Sequence, residues 1–413
     1  MQFKLAIVLL SLLVLTIAVP VEPRDKPSKP SKPSVVAKKF NVPSPKDGKF
    51  KTSSVKYEAE GSCKKHRFKV KHHHPNGPIH DPHSPWHINR DVPCVCPIGS
   101  QIFWFFDDTF AYKEDGTFIG AASNSVGVAS DVRSPSYIND ISVTLEGDVT
   151  VAIPWTESEA EIQYDITSRY AFWAYGPCIP IDRHHSWHVW TVAKFYGLGK
   201  YATIGYTLAE YEYDDANGSL IVSRSEFLYY SSTSYPYGAF ASVYVSGTLY
   251  LYALDPNSDK YDIHVASAPR DTVNDKSTWK YWQSSSQSWT SNEPDGSVRD
   301  KSNAAIVGKL PFSTGSVFFS NYHNAYLLVF FSNFADSIFW ALTSPTPVGP
   351  WDTTPIEIVK TKNGSNGYNY GGQATPVYYD GEEGTLGQKL VLSYTYQDDS
   401  STWFPASDTV VFE

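Results

Sequence analysis

Carboxylates crowd into a few short stretches of this chain, and acid–base chemistry could occur there. Asp107-Asp108 end the aromatic run Phe103–Phe106 in QIFWFFDDTF, and Asp91 stands earlier with Arg90 beside it. IPWTESEAEIQYD, residues 153–165, places Glu157 and Glu159 after Trp155. CIPIDRHHSWHVW, residues 178–190, holds Asp182 among His184, His185 and His188. Two facing carboxylates can divide a reaction: one donates a proton, and the other acts as base or nucleophile. Burial beside Trp and Phe raises the pKa of the proton donor by desolvation.

Each candidate also has a purely structural role open to it. Asp91 could cap a turn. Asp108 could form an Asx turn with Thr109, and Glu157 and Glu159 could be a solvated acidic stretch. Side chains alternate along a strand, so Asp107 is expected on the face opposite Asp108, and Glu157 and Glu159 share a face. Trp155 offers a flat apolar ring, and His188 a nitrogen that can donate to hydroxyls. No GxSxG elbow, phosphate-binding loop, dinucleotide fingerprint or HExxH spacing occurs. No cofactor and no metal is expected. Seven of the twelve His fall between His66 and His87, a stretch read as a loop rather than a metal site.

Positioning such groups falls to β-structure. From about residue 84, Tyr, Phe, Trp, Val, Ile and Thr dominate, with turn residues between them and no helical periodicity. Five apolar strand cores begin at residues 102, 170, 249, 326 and 390: IFWFF, YAFWAY, LYLYAL, YLLVFF and LVLSYT. That spacing suits a four-stranded blade and predicts an all-β, five-bladed β-propeller over 84–413 rather than a sandwich.

The remainder is different. Residues 1–18 read as a signal peptide, with Lys4 before the apolar run from Leu5. Residues 19–55 are rich in Lys, Pro and Ser and are expected to be a disordered linker. Residues 56–83 are expected to be a His-rich strap. Glu22–Lys71 carries fifteen Lys or Arg against five Asp or Glu, while the whole chain is at −9. A basic tail on an acidic globule argues against nucleic acid as partner. After signal cleavage no membrane association is expected, and the protein is expected to be an exported monomer. Cys94 and Cys96 share a strand face, so each is expected to reach Cys63 or Cys178 rather than the other. Asn217 and Asn363 stand in glycosylation sequons.

ALTSPTPVGPW, residues 341–351, resembles the outer-blade signature of five-bladed propeller glycosidases of the arabinanase, xylosidase and levansucrase type. NRDVPCVCPIGSQIFWFFDDTF, residues 89–110, is similar to the first blade of a related group, long a domain of unknown function, that includes endo-D-arabinanases. Asp91, Gly99 and Asp108-Thr109 match its pattern, as do Asn124-Ser125, while Asp107 replaces a Gly. With the apolar leader, the resemblance implies a secreted glycoside hydrolase acting on a cell-wall or extracellular polysaccharide, an arabinofuranose-containing one among them, through paired carboxylates in the propeller funnel. Asp91 would be base or nucleophile, Glu157 or Glu159 the acid, and Asp108 a pKa modulator or substrate ligand. Trp155, His188, Arg90 and Asp182 would contact sugar. The alternative is a non-catalytic carbohydrate-binding propeller.

Overall fold

The computed structural model describes residues 35–43, 68–130, 134–162, 168–197, 199–225, 228–255, 262–297, 301–308, 312–332, 337–362, 364, 367–378, 387–397 and 403–413. Strands β1 (Val35–Asn41) and β2 (Val70–Pro78) come first and join sheets formed much later in the chain. Strands β3 to β9 follow as His87–Arg90, Cys94–Ile98, Gln101–Phe106, Thr109–Tyr112, Phe118–Ala122, Ser125–Ala129 and Ile138–Asp140. Blade one is β4-β5-β8-β9, while β3, β6 and β7 form a small sheet just beyond Asp107-Asp108.

A four-residue helix, α1 (Glu157–Ala160), precedes blade two. That blade comprises β10 (Tyr170–Trp173), β11 (Ile179–Pro180), β12 (His185–Gly197), β13 (Lys200–Asp214), β14 (Ser219–Ser225) and the short β15 (Tyr230–Ser231). Blade three runs β16 (Ala241–Val245), β17 (Thr248–Leu254), β18 (Ile263–Pro269), β19 (Lys280–Gln283) and β20 (Ser288–Thr290). Blade four is β21 (Phe312–Ser320), β22 (Ala325–Ser332), β23 (Ile338–Ser344) and β24 (Ile356–Lys360). Blade five is β25 (Tyr370–Thr375), β26 (Lys389–Gln397) and β27 (Trp403–Phe412), with β2 as its outer strand. The fold is the expected five-bladed β-propeller.

Both faces of each blade are covered by neighbouring blades, which explains the unbroken apolar runs. Along β5, Phe103 and Phe105 join the core shared with blade two, beside Trp190 and Tyr211. Ile102, Trp104 and Phe106 point the other way, toward Tyr378 and Val391 of blade five. β22 does the same: Leu327, Val329 and Phe331 face blade five, while Leu328 and Phe330 face blade three. Burying each such side chain is worth about 1.5–3 kcal/mol. Registry follows, because a one-residue slip would exchange the two interfaces.

YAFWAY is the inner strand β10, whereas the other four cores are second strands of their blades; the second strand of blade two is β12. Two expectations need correction. Within the expected linker 19–55, residues 35–41 form β1, which pairs antiparallel with β14 and turns Phe40 into the core. Within the expected loop 56–83, residues 70–78 form β2 on the edge of β27. Both are outer-edge strands that bury one face at most, so Lys, His and Pro are tolerated. The signal peptide, residues 1–18, and the rest of the linker outside 35–43 lie outside the described residues. Ring closure also uses Gly371, at φ 64° against Val92, and Gly372, where a Cβ would meet the Phe331 ring. The VGPW motif lies in the β23–β24 connection. No helix among the described residues is long and apolar enough to cross a membrane.

Candidate active site

Three carboxylates meet where blade one adjoins blades two and five. β5 ends at Phe106 and delivers Asp107-Asp108 beyond the aromatic core. Thr109 fixes the exit: its hydroxyl donates to the Asp107 carbonyl at 3.0 Å and meets Ser125 Oγ at 2.7 Å. The Asp107 amide donates to the Asp91 carbonyl at 3.0 Å, so the two acidic segments lie side by side. Asn124 ties them to blade two, accepting from the Ile153 amide at 2.9 Å while its own amide faces the Phe172 carbonyl. The Asn-Ser motif is thus a brace between blades.

Blades two and five close the site. At the exit of β10, Trp173 Nε1 donates to Asp108 Oδ1 at 3.1 Å and the Ala174 amide to Asp107 Oδ1 at 2.7 Å. From blade five, the Tyr370 hydroxyl donates to Asp91 Oδ2 at 3.0 Å. Asp107 is only 3% exposed, whereas Asp91 and Asp108 are half-buried. Asp91 Oδ1 is buried with no hydrogen-bond partner. Such an atom costs about 1–3 kcal/mol, so the site keeps an unmet capacity for a hydrogen bond.

Desolvation dominates the electrostatics. Burial and the Asp108 charge push Asp91 well above the usual carboxylate range, against the Tyr370 hydrogen bond. Burial and the Asp91 charge do the same to Asp107, against the Ala174 amide. Burial also raises Asp108, but the Arg169 cation and Trp173 oppose it. Asp108 therefore ionises first, and Asp91 keeps its proton to higher pH. Desolvation at its hydroxyl end, with the charges of all three carboxylates, keeps the Tyr175 hydroxyl protonated, although 36% of the residue is open to solvent. The described residues contain no set of three His, Cys, Asp or Glu placed to hold a metal ion.

Of the residues singled out by sequence, Asp91 and Asp108 come together and the others stand elsewhere. Arg90 is buried in an ion pair with Asp140 at 2.9 Å and lies over the Phe106 ring, so it is unavailable to a ligand. Glu157 is exposed in the first turn of α1. Glu159 closes a capping box with Thr156 and pairs with the buried Arg224. Helix geometry, not a strand face, sets both, and neither acts on the three aspartates. Trp155 packs on Phe172 with centroids 4.7 Å apart. Asp182 binds the His184 and His185 amides and the His185 ring in an exposed turn.

His188 is 1% exposed, so a sugar cannot reach it. Tyr211 accepts from Trp190 Nε1 at 2.9 Å and can donate to His188 Nδ1 at 3.0 Å, leaving Nε2–H to donate to the Gly176 carbonyl at 2.9 Å. Burial lowers its pKa to about 4, so the ring is neutral. Cys96 pairs with Cys178, while Cys94 is a buried thiol and Cys63 lies outside the described residues.

Sequence reasoning missed Asp107, Arg169, Trp173, Tyr175 and Tyr370 as members of the site. Asp107 was set aside by strand alternation, which stops at Phe106. The spacing Thr156-x-x-Glu159 was the signal for a capping box. The other four are ordinary aromatic and basic residues in sequence, joined only by tertiary structure.

No protein-family model and no curated protein matches the chain. Solved structures do. A "putative hydrolase" of Bacteroides ovatus aligns with a TM-score of 0.57 and 18% identity, over 79% of this chain and 86% of its own. A GH43_1 enzyme of Xanthomonas citri aligns at 0.44 and 10% identity, over 80% and 89%. A GH62 α-L-arabinofuranosidase catalytic domain of Coprinopsis cinerea aligns at 0.40 and 12%, over 83% and 98%. The first of these likenesses supports the fold.

Proposed function

We propose that this protein is a secreted glycoside hydrolase acting on a cell-wall or extracellular polysaccharide through Asp91 and Asp108. The observation that carries the reading is the half-buried Asp91, with one oxygen lacking a partner, beside an Asp108 that Arg169 and Trp173 favour as the anion. Glycoside cleavage needs that division: a protonated carboxyl for the leaving oxygen and a carboxylate for the anomeric side. Asp91 donates its proton to the glycosidic oxygen as the C–O bond breaks. Asp108 either activates water or attacks the anomeric carbon. In this reading Asp91 takes the acid role expected of Glu157 or Glu159, Asp108 takes the base or nucleophile role expected of Asp91, and Glu157 and Glu159 leave the chemistry.

The resemblance of residues 89–110 to the group containing endo-D-arabinanases supports an arabinofuranose-containing polymer as the first substrate to try. The apolar leader and basic tail support export, with the tail able to meet an anionic wall polymer. Incubation with plant, fungal and bacterial polysaccharides, followed by reducing-end release, tests the reading. Release by the wild type and not by Asp91→Asn or Asp108→Asn is expected. Equal glycan binding by all three without release would leave a carbohydrate-binding propeller.

A further inference from the structure

Residues 174–178 run from the site toward blade three, and neighbours hold Ala174, Gly176 and Cys178. The Ala174 amide is bonded to Asp107, and its carbonyl accepts from the Cys94 thiol at 3.6 Å. The Gly176 carbonyl accepts from His188, and a Cβ on Gly176 would collide with the Ala239 and Phe240 carbonyls of blade three. Cys178 is covalently tied to Cys96 on the inner strand of blade one. Within this tightly held segment Tyr175 alone is exposed, with 36% of its surface open. An aromatic ring on a backbone held by such contacts loses little entropy when a ligand stacks on it.

We infer that Tyr175 is a substrate-contacting residue, its ring the platform for a sugar unit lying across Asp91 and Asp108, and that His188 is the positioning residue that fixes it through the Gly176 carbonyl. The inference rests on the glycoside-hydrolase reading and names the aromatic contact that reading lacks. It also explains a buried neutral imidazole. The Trp190–Tyr211–His188 chain ends on the carbonyl of Gly176, the residue after Tyr175, and Phe105 stacks on Tyr211 at 4.4 Å to hold the chain in place. The partner face is the flat, uncharged C–H face of a furanose or pyranose.

The test compares Tyr175→Ala, Tyr175→Phe, His188→Leu and His188→Gln on the polysaccharide that wild type cleaves, with a melting temperature for each. Tyr175→Ala should raise KM about tenfold or more while kcat changes by less than about threefold, the signature of lost binding held equally in ground and transition states. Tyr175→Phe should stay near wild type. His188→Leu should reproduce the KM rise at every pH from 5 to 8, since the ring it replaces is neutral throughout. His188→Gln, which retains a donor toward Gly176, should recover part of it and serves if His188→Leu does not fold. A KM within about twofold of wild type in Tyr175→Ala overturns the inference and leaves the hydrolase reading intact. If the wild type cleaves nothing, that reading fails, and glycan titration by tryptophan fluorescence decides. Binding lost in Tyr175→Ala upholds the platform, and unaltered or absent binding overturns it.

Discussion

Two kinds of buried acid occur in this ring. Asp140 sits against Arg90, Glu159 against Arg224, and Asp408 against His73 at 2.6 Å with Tyr394 donating to its other oxygen. At the mouth of blade one, three aspartates have, among the described residues, Arg169 as the one cation acting on them, and it acts on Asp108. Burial raises Asp140 and Asp408 despite their partners, yet Asp91 and Asp107 are raised further, with a neighbouring carboxylate in place of a cation. Where the fold needs an acid to brace strands, it supplies the opposite charge. Where it leaves acids crowded and undercompensated, it gives up stability for a group that holds its proton well above the ordinary carboxylate range.

Mutations that strike one region and spare the other separate these roles. Asp91→Asn or Asp108→Asn should lower hydrolysis by about 10²–10⁴-fold, the usual worth of a positioned acid or base, with no loss of melting temperature. Arg90→Met should leave activity per folded molecule intact but strand Asp140 in the core, costing about 3–5 kcal/mol in denaturant unfolding. His73→Ala should loosen the β2–β27 edge and cost about 1–3 kcal/mol, since Asp408 keeps only Tyr394.

Asp107→Asn sharpens the contrast through pH. A carboxyl whose folded pKa is raised binds its proton more tightly in the native state, so wild type loses stability as pH rises from the unfolded value near 4 toward the native one. The Asn variant avoids that loss, and its advantage should grow by about 1.4 kcal/mol per pH unit across that window and vanish below it. Thermal melts at pH 4 and pH 6 check this.

Much of the fold was legible in sequence because blades repeat and each β-rich core is long. Two kinds of feature were not. The edge strands β1 and β2 carry Lys, His and Pro, and only pairing with β14 and β27 makes them strands. YAFWAY looks like a second strand because inner and second strands are equally apolar when both faces are covered. In the site, Asp91 and Asp108 could be found from their place around an aromatic strand. Tyr370 could not, because 279 residues separate it from Asp91 and only ring closure joins them. His188 misled because His and Trp near acids suit a sugar cleft, while the same residues also build a buried hydrogen-bond chain.

The central claim is that Asp91 keeps its proton beside an ionised Asp108. Carbon-13 NMR titration of the aspartate carboxyls, with Asp91→Asn to assign the resonance, measures this directly. The account predicts that the Asp91 carboxyl titrates well above the ordinary value of about 4, and above the Asp108 carboxyl. An Asp91 carboxyl that titrates at or below about 4 would contradict it.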